Sequence, residues 1–255
     1  HLYVASIFQG TGNTYQWPAY SAAISTMLKK EQYGRANGMM SLIESGPGVV
    51  APLLAGMLLP VIHLEGILFL DVATFILAIA FLMIVFIPQP ARTQEGAQAQ
   101  GNLWQEAVFG FRYIFARPGL VGLLTLFLFG NLFSGIQWTV LAPMILSRTG
   151  NDSLAFGTVQ TAGAIGAVLG GVLMSMWGGF KRQVHGVLLG WIAASLFLLM
   201  LGIGQDLAVW IPAIFTGSLF FPLINSSSQA IWQAKVAPDL QGRVFSSRRL
   251  IAWLT

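Results

Sequence analysis

Apolar runs of about 20 residues recur along the chain, the length at which an α-helix rising roughly 1.5 Å per residue crosses a hydrocarbon core of about 30 Å. Seven of them fall near Leu2 to Leu28, Gly38 to Ile62, Gly66 to Ile87, Leu120 to Leu146, Phe156 to Trp177, Val184 to Ile203 and Leu207 to Ala230, and an eighth opens around Leu250. The runs are continuous and too long for the alternating strands of a barrel, so they predict an all-α, polytopic transmembrane bundle. Between the third and fourth lies a polar stretch from Pro88 to Arg117. Its first part, PQPARTQEGAQAQGN, is linker-like. Its second, LWQEAVFGFRYIFARP, spaces Leu103, Val108, Phe111 and Ile114 or Phe115 as one face of an amphipathic helix lying on the membrane surface. The chain therefore divides into 1–87, a linker at 88–118, and 119–255.

Composition supports the same class. Only 9% of residues are charged, 55% are hydrophobic and the mean hydropathy is +0.71, whereas a soluble surface needs roughly 25% charge. With no cysteine, disulfide scaffolds, thiol nucleophiles and thiolate metal sites are excluded. His1, His63 and His185 have no ligand spacing, and no residue pattern asks for a cofactor. The glycines Gly10 and Gly12, and those of GAIGAVLGG at 163–171, follow no strand and are not phosphate loops.

The net charge of +4 is a matter of topology rather than of a nucleic-acid partner. Lys29, Lys30 and Arg35 follow the first run; Arg92, Arg112 and Arg117 the third; Lys181 and Arg182 the fifth; Lys235, Arg243, Arg248 and Arg249 the seventh. Loops on the opposite side carry Arg148 alone. Since basic loops stay in the cytoplasm, this alternation orients the bundle. KKEQYGRANGMMSLI (29–43) aligns with APDLQGRVFSSRRLI (237–251), pairing Gly34-Arg35 with Gly242-Arg243 at the same side of successive bundles. If the halves repeat, about three spans are expected before His1 and one and a half after Thr255, giving twelve in two bundles of six.

Two such bundles joined by a cytoplasmic loop, with Gly-Arg after spans four and ten, resemble the major facilitator superfamily, the seven runs corresponding to its helices 4 to 10. WPAYSAAI (17–24), EQYGRANG (31–38), APLLAG (51–56) and FLDVATF (69–75) are similar to segments of its drug-exporting branch, the macrolide-efflux and enterobactin-exporter-like group. The antiporter pattern of helix 5, Gly-rich and ending Gly-Pro-x-x-Gly-Gly, is matched in register by Gly38, Pro47, Ala51, Pro52, Ala55 and Gly56, with alanine at two glycine positions. Small side chains allow backbone-to-backbone helix contact and Pro52 is expected to bend its helix. Packing alone is the alternative use of such residues, as for the glycines of helix 8. The resemblance departs at Ser6, where many proton-coupled exporters carry arginine three residues before the Gln9-Gly10 pair.

Without that arginine, proton coupling falls to carboxylates within the helices. Glu44 and Asp71 each lie roughly 10 Å into a span by the helical rise, where a carboxylate must be protonated, paired or facing water. Glu44 shares a face with Asn37, Ser41 and Gly48. Asp71 has the alternative of capping or bonding a neighbouring helix. Polar faces outline a cavity: Gln9, Asn13, Gln16 and Tyr20 on helix 4; Asn131, Ser134 and Trp138 on helix 7; Asn225, Gln229 and Gln233 on helix 10. Each is unfavourable against lipid and should turn inward, to touch substrate or to join helices. Trp17, Phe133, Trp138 and Tyr20 suit this cavity to a lipophilic substrate, while Trp104, Trp177, Trp210 and Trp232 read as interface anchors. The expected partners are the lipid bilayer, protons and a small lipophilic substrate, with no nucleic acid and a monomeric full-length protein in a bacterial inner membrane. The whole reads as a secondary exporter that exchanges substrate for protons by alternating access, Gly34-Arg35 and Gly242-Arg243 bracing its cytoplasmic helix ends. Its alternatives are a permease subunit driven by a partner ATPase and, lacking any visible nucleophile or ligand cluster, a membrane enzyme.

Overall fold

The computed structural model describes residues 20–84, 86, 93–94 and 103–252, and all regular structure among them is helical. Helix α1 occupies 20–27 and leads through a 3-10 turn, Lys30–Gln32, into α2 (Tyr33–Ser45). There follow α3 (Pro47–Ile84), α4 (Leu103–Phe115), α5 (Pro118–Arg148), α6 (Ser153–Trp177), α7 (Gln183–Ile203), α8 (Leu207–Leu219), α9 (Phe221–Lys235) and α10 (Gln241–Ala252). Five stretches are long and apolar enough to cross a membrane among the described residues: Met57–Ile84, Pro118–Arg148, Ser153–Trp177, Gln183–Ile203 and Leu207–Lys235.

The element boundaries correct the sequence reading in several places. The break expected between Ile62 and Gly66 contracts to His63, whose positive-φ backbone (φ 56°, ψ −177°) interrupts an otherwise continuous α3; a single residue so placed suffices to stop one helix and start the next. The second run breaks at Gly46, immediately before Pro47, rather than at Pro52, which lies within α3. The seventh run is likewise divided at Phe220, where Pro222 enters the first turn of α9 and has no N–H to continue the ladder of α8. The linker helix α4 does not simply rest on a surface. It packs on α10, burying Gly110, Tyr113 and Ile114 rather than the face centred on Val108 and Phe115, which stay exposed.

Close backbone approach sets the bundle's geometry. A Cβ on Gly34 would collide with the carbonyl oxygen of Gly178, and one on Gly38 would stand 2.7 Å from the Ser175 nitrogen. Helix α2 therefore lies directly against α6. On its other side α6 presents Gly166 and Gly170 to the carbonyls of Phe215 and Leu219 in α8. Small residues thus replace a side-chain layer by backbone contact, the arrangement that packs helices where no hydrophobic effect separates helix from lipid.

The basic loops gather at one end of this bundle. Arg35 Nη2 donates to the carbonyl of Met176 at 3.3 Å, compensating an acceptor in the last turn of α6, where the helix dipole favours a cation. Tyr113 Oη donates to the Lys235 carbonyl at 3.3 Å, and an apolar core of Ile114, Leu124, Trp232, Leu240 and Phe245 fills the same end. At the opposite end Arg148 donates to the carbonyls of Gly202 (3.2 Å) and Gly204 (2.6 Å). The one basic residue on that side is thus used to close the last turn of α7. Asp152 and Asp206 cap the starts of α6 and α8 there, accepting from Leu154, Ala155 and Val209. Trp210 and Trp232, expected at the membrane interface, are completely enclosed instead. The Trp210 indole donates to the Gly204 carbonyl at 3.1 Å, which satisfies the polar atom that would otherwise hold it at the interface.

Candidate functional site

A cavity of about 740 Å³ opens where α1, α2, α5, α9 and α10 converge. Helix α1 contributes Tyr20, Ser21 and Ile24; α2 contributes Asn37, Met40, Ser41 and Glu44. From the other half come Phe127, Asn131, Ser134 and Trp138 of α5, then Asn225, Ser226 and Gln229 of α9. Phe245, Arg248, Arg249 and Ala252 of α10 complete the wall. Residues separated by three, four or seven along a helix share a face, which is why Asn131, Ser134 and Trp138 arrive together. The volume falls in the range of small-molecule sites, and its mixture of aromatic surface with a few polar groups is characteristic of them.

Neutral side chains seal the cavity at its basic end. Ser25 Oγ donates to Gln241 Oε1 at 2.6 Å, and Asn37 Nδ2 to Gln233 Oε1 at 2.7 Å. Gln229 Nε2 donates to Ser21 Oγ at 2.5 Å and Gln233 Nε2 to the Ser21 carbonyl at 3.2 Å. Ser41 and Ser226 meet at 3.3 Å. Every one of these bonds joins the first segment of the chain, α1 or α2, to α9 or α10. Ser21, Ser25, Asn37, Gln233 and Gln241 are all buried, so each polar group would be costly to leave unpaired. Tyr33, also buried, braces the seal by donating to the Ser25 carbonyl at 3.0 Å.

The candidates inferred from sequence separate into three sets. Tyr20, Glu44, Asn131, Ser134, Trp138, Asn225 and Gln229 all line the one cavity, Glu44 with an exposed side chain. Gln9, Asn13 and Gln16 lie outside the described residues, as do Ser6 and Trp17. Asp71 is set apart, exposed on α3 away from the cavity, and Phe133 likewise faces outward at 65% exposure. Of the antiporter pattern, Gly38 makes the tight contact with α6, while Pro47 and Ala51 are exposed. The side chains of Pro52, Ala55 and Gly56 are outside the described set. Gly34-Arg35 makes the contacts given above. Its counterpart differs: a Cβ on Gly242 would meet nothing, and Arg243 presents its carbonyl oxygen towards Gly110 of α4.

Arg248, together with its neighbour Arg249, is misplaced by the sequence reading. Counted there with the basic rim, it stands two turns inside α10 and lines the cavity. Its Nη1 donates to Gln229 Oε1 at 2.7 Å and its Nη2 lies 3.5 Å from Ser228 Oγ. The guanidinium also rests over the Trp232 ring, 4.9 Å from its centroid. Gln233, expected on the inward polar face of helix 10, lies at the seal, whereas Gln241 gave no signal beyond polarity. Among the described residues no group of three or more histidine, cysteine, aspartate or glutamate side chains could hold a metal ion.

The chain has relatives among known proteins. The chain is similar to Macrolide efflux protein A of Enterococcus faecalis, 26% identical over 257 aligned positions that cover 96% of this chain and 75% of that protein. It is equally similar to Macrolide efflux protein A of Streptococcus pyogenes, 26% identical over 96% of this chain, and spans 60% of the length of that relative. No solved structure matches. The family model for the Major Facilitator Superfamily matches residues 1–254, so this multi-pass helical membrane protein, with its cavity between two sets of helices, belongs to the major facilitator superfamily of transporters.

Proposed function

We propose that the protein is a secondary active exporter of drugs or lipophilic metabolites, exchanging substrate for protons by alternating access in a bacterial inner membrane. Residues 1–87 belong to one six-helix bundle and 119–255 to the other, the intervening 88–118 linking them on the cytoplasmic side. The observation that carries this reading is the cavity itself: walls drawn from both halves, aromatic and amide surface within, and a hydrogen-bonded seal at the basic end. Breaking that seal while closing the far end exchanges access without moving the site, which is the rocking-bundle scheme.

Glu44 is the proton-coupling residue in this scheme. Among the described residues it is the carboxylate that reaches the cavity, on a helix whose Gly34 and Gly38 ride on the backbone of α6. A carboxylate open to water alternately from each side can load and release a proton at each. Gly34-Arg35 and Gly242-Arg243 act as cytoplasmic braces, and the motif residues from Gly38 to Gly56 as the sliding surface. The full-length protein works as a monomer and needs no cofactor. The test is efflux of a lipophilic dye from a drug-susceptible bacterium expressing the full-length protein. Energised cells are expected to exclude the dye and to lose that ability when a protonophore is added; efflux that persists with the protonophore and follows ATP instead refutes the reading.

A further inference from the structure

Among the described residues, the groups that hold the Arg248 charge do not neutralise it. Its two hydrogen-bonding partners are the neutral Gln229 and Ser228, and Trp232 offers a ring face. Gln229 is itself fixed, since its Nε2 donates to Ser21 and thereby turns Oε1 towards the guanidinium. An arginine inside a membrane bundle with neutral partners alone is unfavourable unless an anion visits it. Among the described residues Glu44 is the carboxylate lining this cavity.

Glu44 and Arg248 occupy different levels. Ser41 and Ser226 meet at 3.3 Å and mark a common height on α2 and α9. Glu44 lies three residues beyond Ser41, about 4.5 Å further from the basic end, and Gln229, which carries Arg248, lies about 4.5 Å nearer to it. The two charges therefore stand on the order of 9 Å apart along the cavity and belong to opposite halves. Met40, Phe127 and Trp138 add apolar and aromatic surface to the same cavity.

We propose that this cavity selects lipophilic zwitterions: Arg248 is a specificity residue for an acidic group on the substrate, while Glu44 meets its basic amine. The assignment rests on the exporter reading and adds the substrate class. It also fits proton exchange, because an amine and a proton compete for the same Glu44 carboxylate. Gln229 and Trp232 pre-orient the guanidinium, so the acid binds to donors already in place.

The experiment uses the full-length protein and two probes, a piperazinyl fluoroquinolone and its carboxyl ethyl ester, which keeps the amine and removes the acid. Binding is followed by quenching of tryptophan fluorescence, and transport by proton-driven uptake into inside-out vesicles. The acid is expected to bind about tenfold more tightly than the ester, the scale of one charge-assisted contact. Arg248→Gln is expected to erase that difference, with its melting temperature in detergent reporting that the variant is folded, and Arg248→Lys to restore part of it. Equal binding of acid and ester by the unaltered protein, or equal loss of both in Arg248→Gln, overturns the zwitterion assignment while the exporter reading stands. If neither probe, nor any lipophilic dye, is moved by a proton gradient, the exporter reading fails and the assignment with it.

Discussion

Replacing Gln233 by leucine should open the cavity from its basic end. Gln233 is 2% exposed and joins the halves through both ends of its amide: Oε1 accepts from Asn37 at 2.7 Å, and Nε2 donates to the Ser21 carbonyl at 3.2 Å with Ser21 Oγ at 3.3 Å. Leucine has similar bulk, so packing is largely kept while the bonds at both ends go. At roughly 0.5–1.5 kcal/mol per end, the sealed state should lose about 1–3 kcal/mol relative to the state in which these groups meet water. Asn37, itself 6% exposed, is left without that partner and adds to the loss. The conversion of free energy to population makes this a roughly five- to hundredfold rise in the fraction open at the basic end. The readout is a cysteine at Ser134, a cavity residue, on a cysteine-free background; the sequence itself contains no cysteine. A membrane-impermeant maleimide applied only to the basic side of sided vesicles should label Gln233→Leu at least five times faster than the parent. Equal labelling rates would refute the claim that these bonds close the cavity.

Other consequences follow from the same contacts. Gly38→Val should lower the yield of folded protein, because its side chain must enter space 2.7 Å from the Ser175 nitrogen; overpacking of this kind costs about 1–3 kcal/mol, and an unchanged melting temperature in detergent would contradict it. Arg148→Ala removes the donors to Gly202 and Gly204 and should destabilise by about 1 kcal/mol, measured as a lower melting temperature with transport per folded molecule unaffected. Asp71→Asn should leave efflux within about twofold of the parent, since Asp71 is exposed on α3 away from the cavity; a loss comparable to that of a cavity substitution would return Asp71 to the site.

How far sequence carried the account depended on which physical constraint each residue feels. Asn131, Ser134 and Trp138 were legible because a polar helical face is unfavourable against lipid wherever it occurs, so its position on the helix is enough to turn it inward. Glu44 was legible for the same reason. Asp71 satisfies the same depth rule and yet does not line the cavity, because depth does not say what a helix packs against, and no residue of Met57–Ile84 is buried. Arg248 was lost to a boundary: α10 begins at Gln241, and a few residues of uncertainty there decide whether an arginine belongs to a loop or to a cavity wall. Trp210 and Trp232 were misread because an indole suits the interface only while its N–H seeks water, and Trp210 finds a carbonyl inside the protein. The breaks at Gly46 and Phe220 lie immediately before or near prolines visible in sequence, but hydropathy runs straight across them.

The most direct test of the central claim is proton-driven substrate movement by the full-length protein reconstituted in liposomes, comparing the parent with Glu44→Gln. The account predicts that an imposed pH gradient drives substrate accumulation by the parent and none by Glu44→Gln, with both proteins inserted in equal amounts. Accumulation by Glu44→Gln at the parental rate would contradict it.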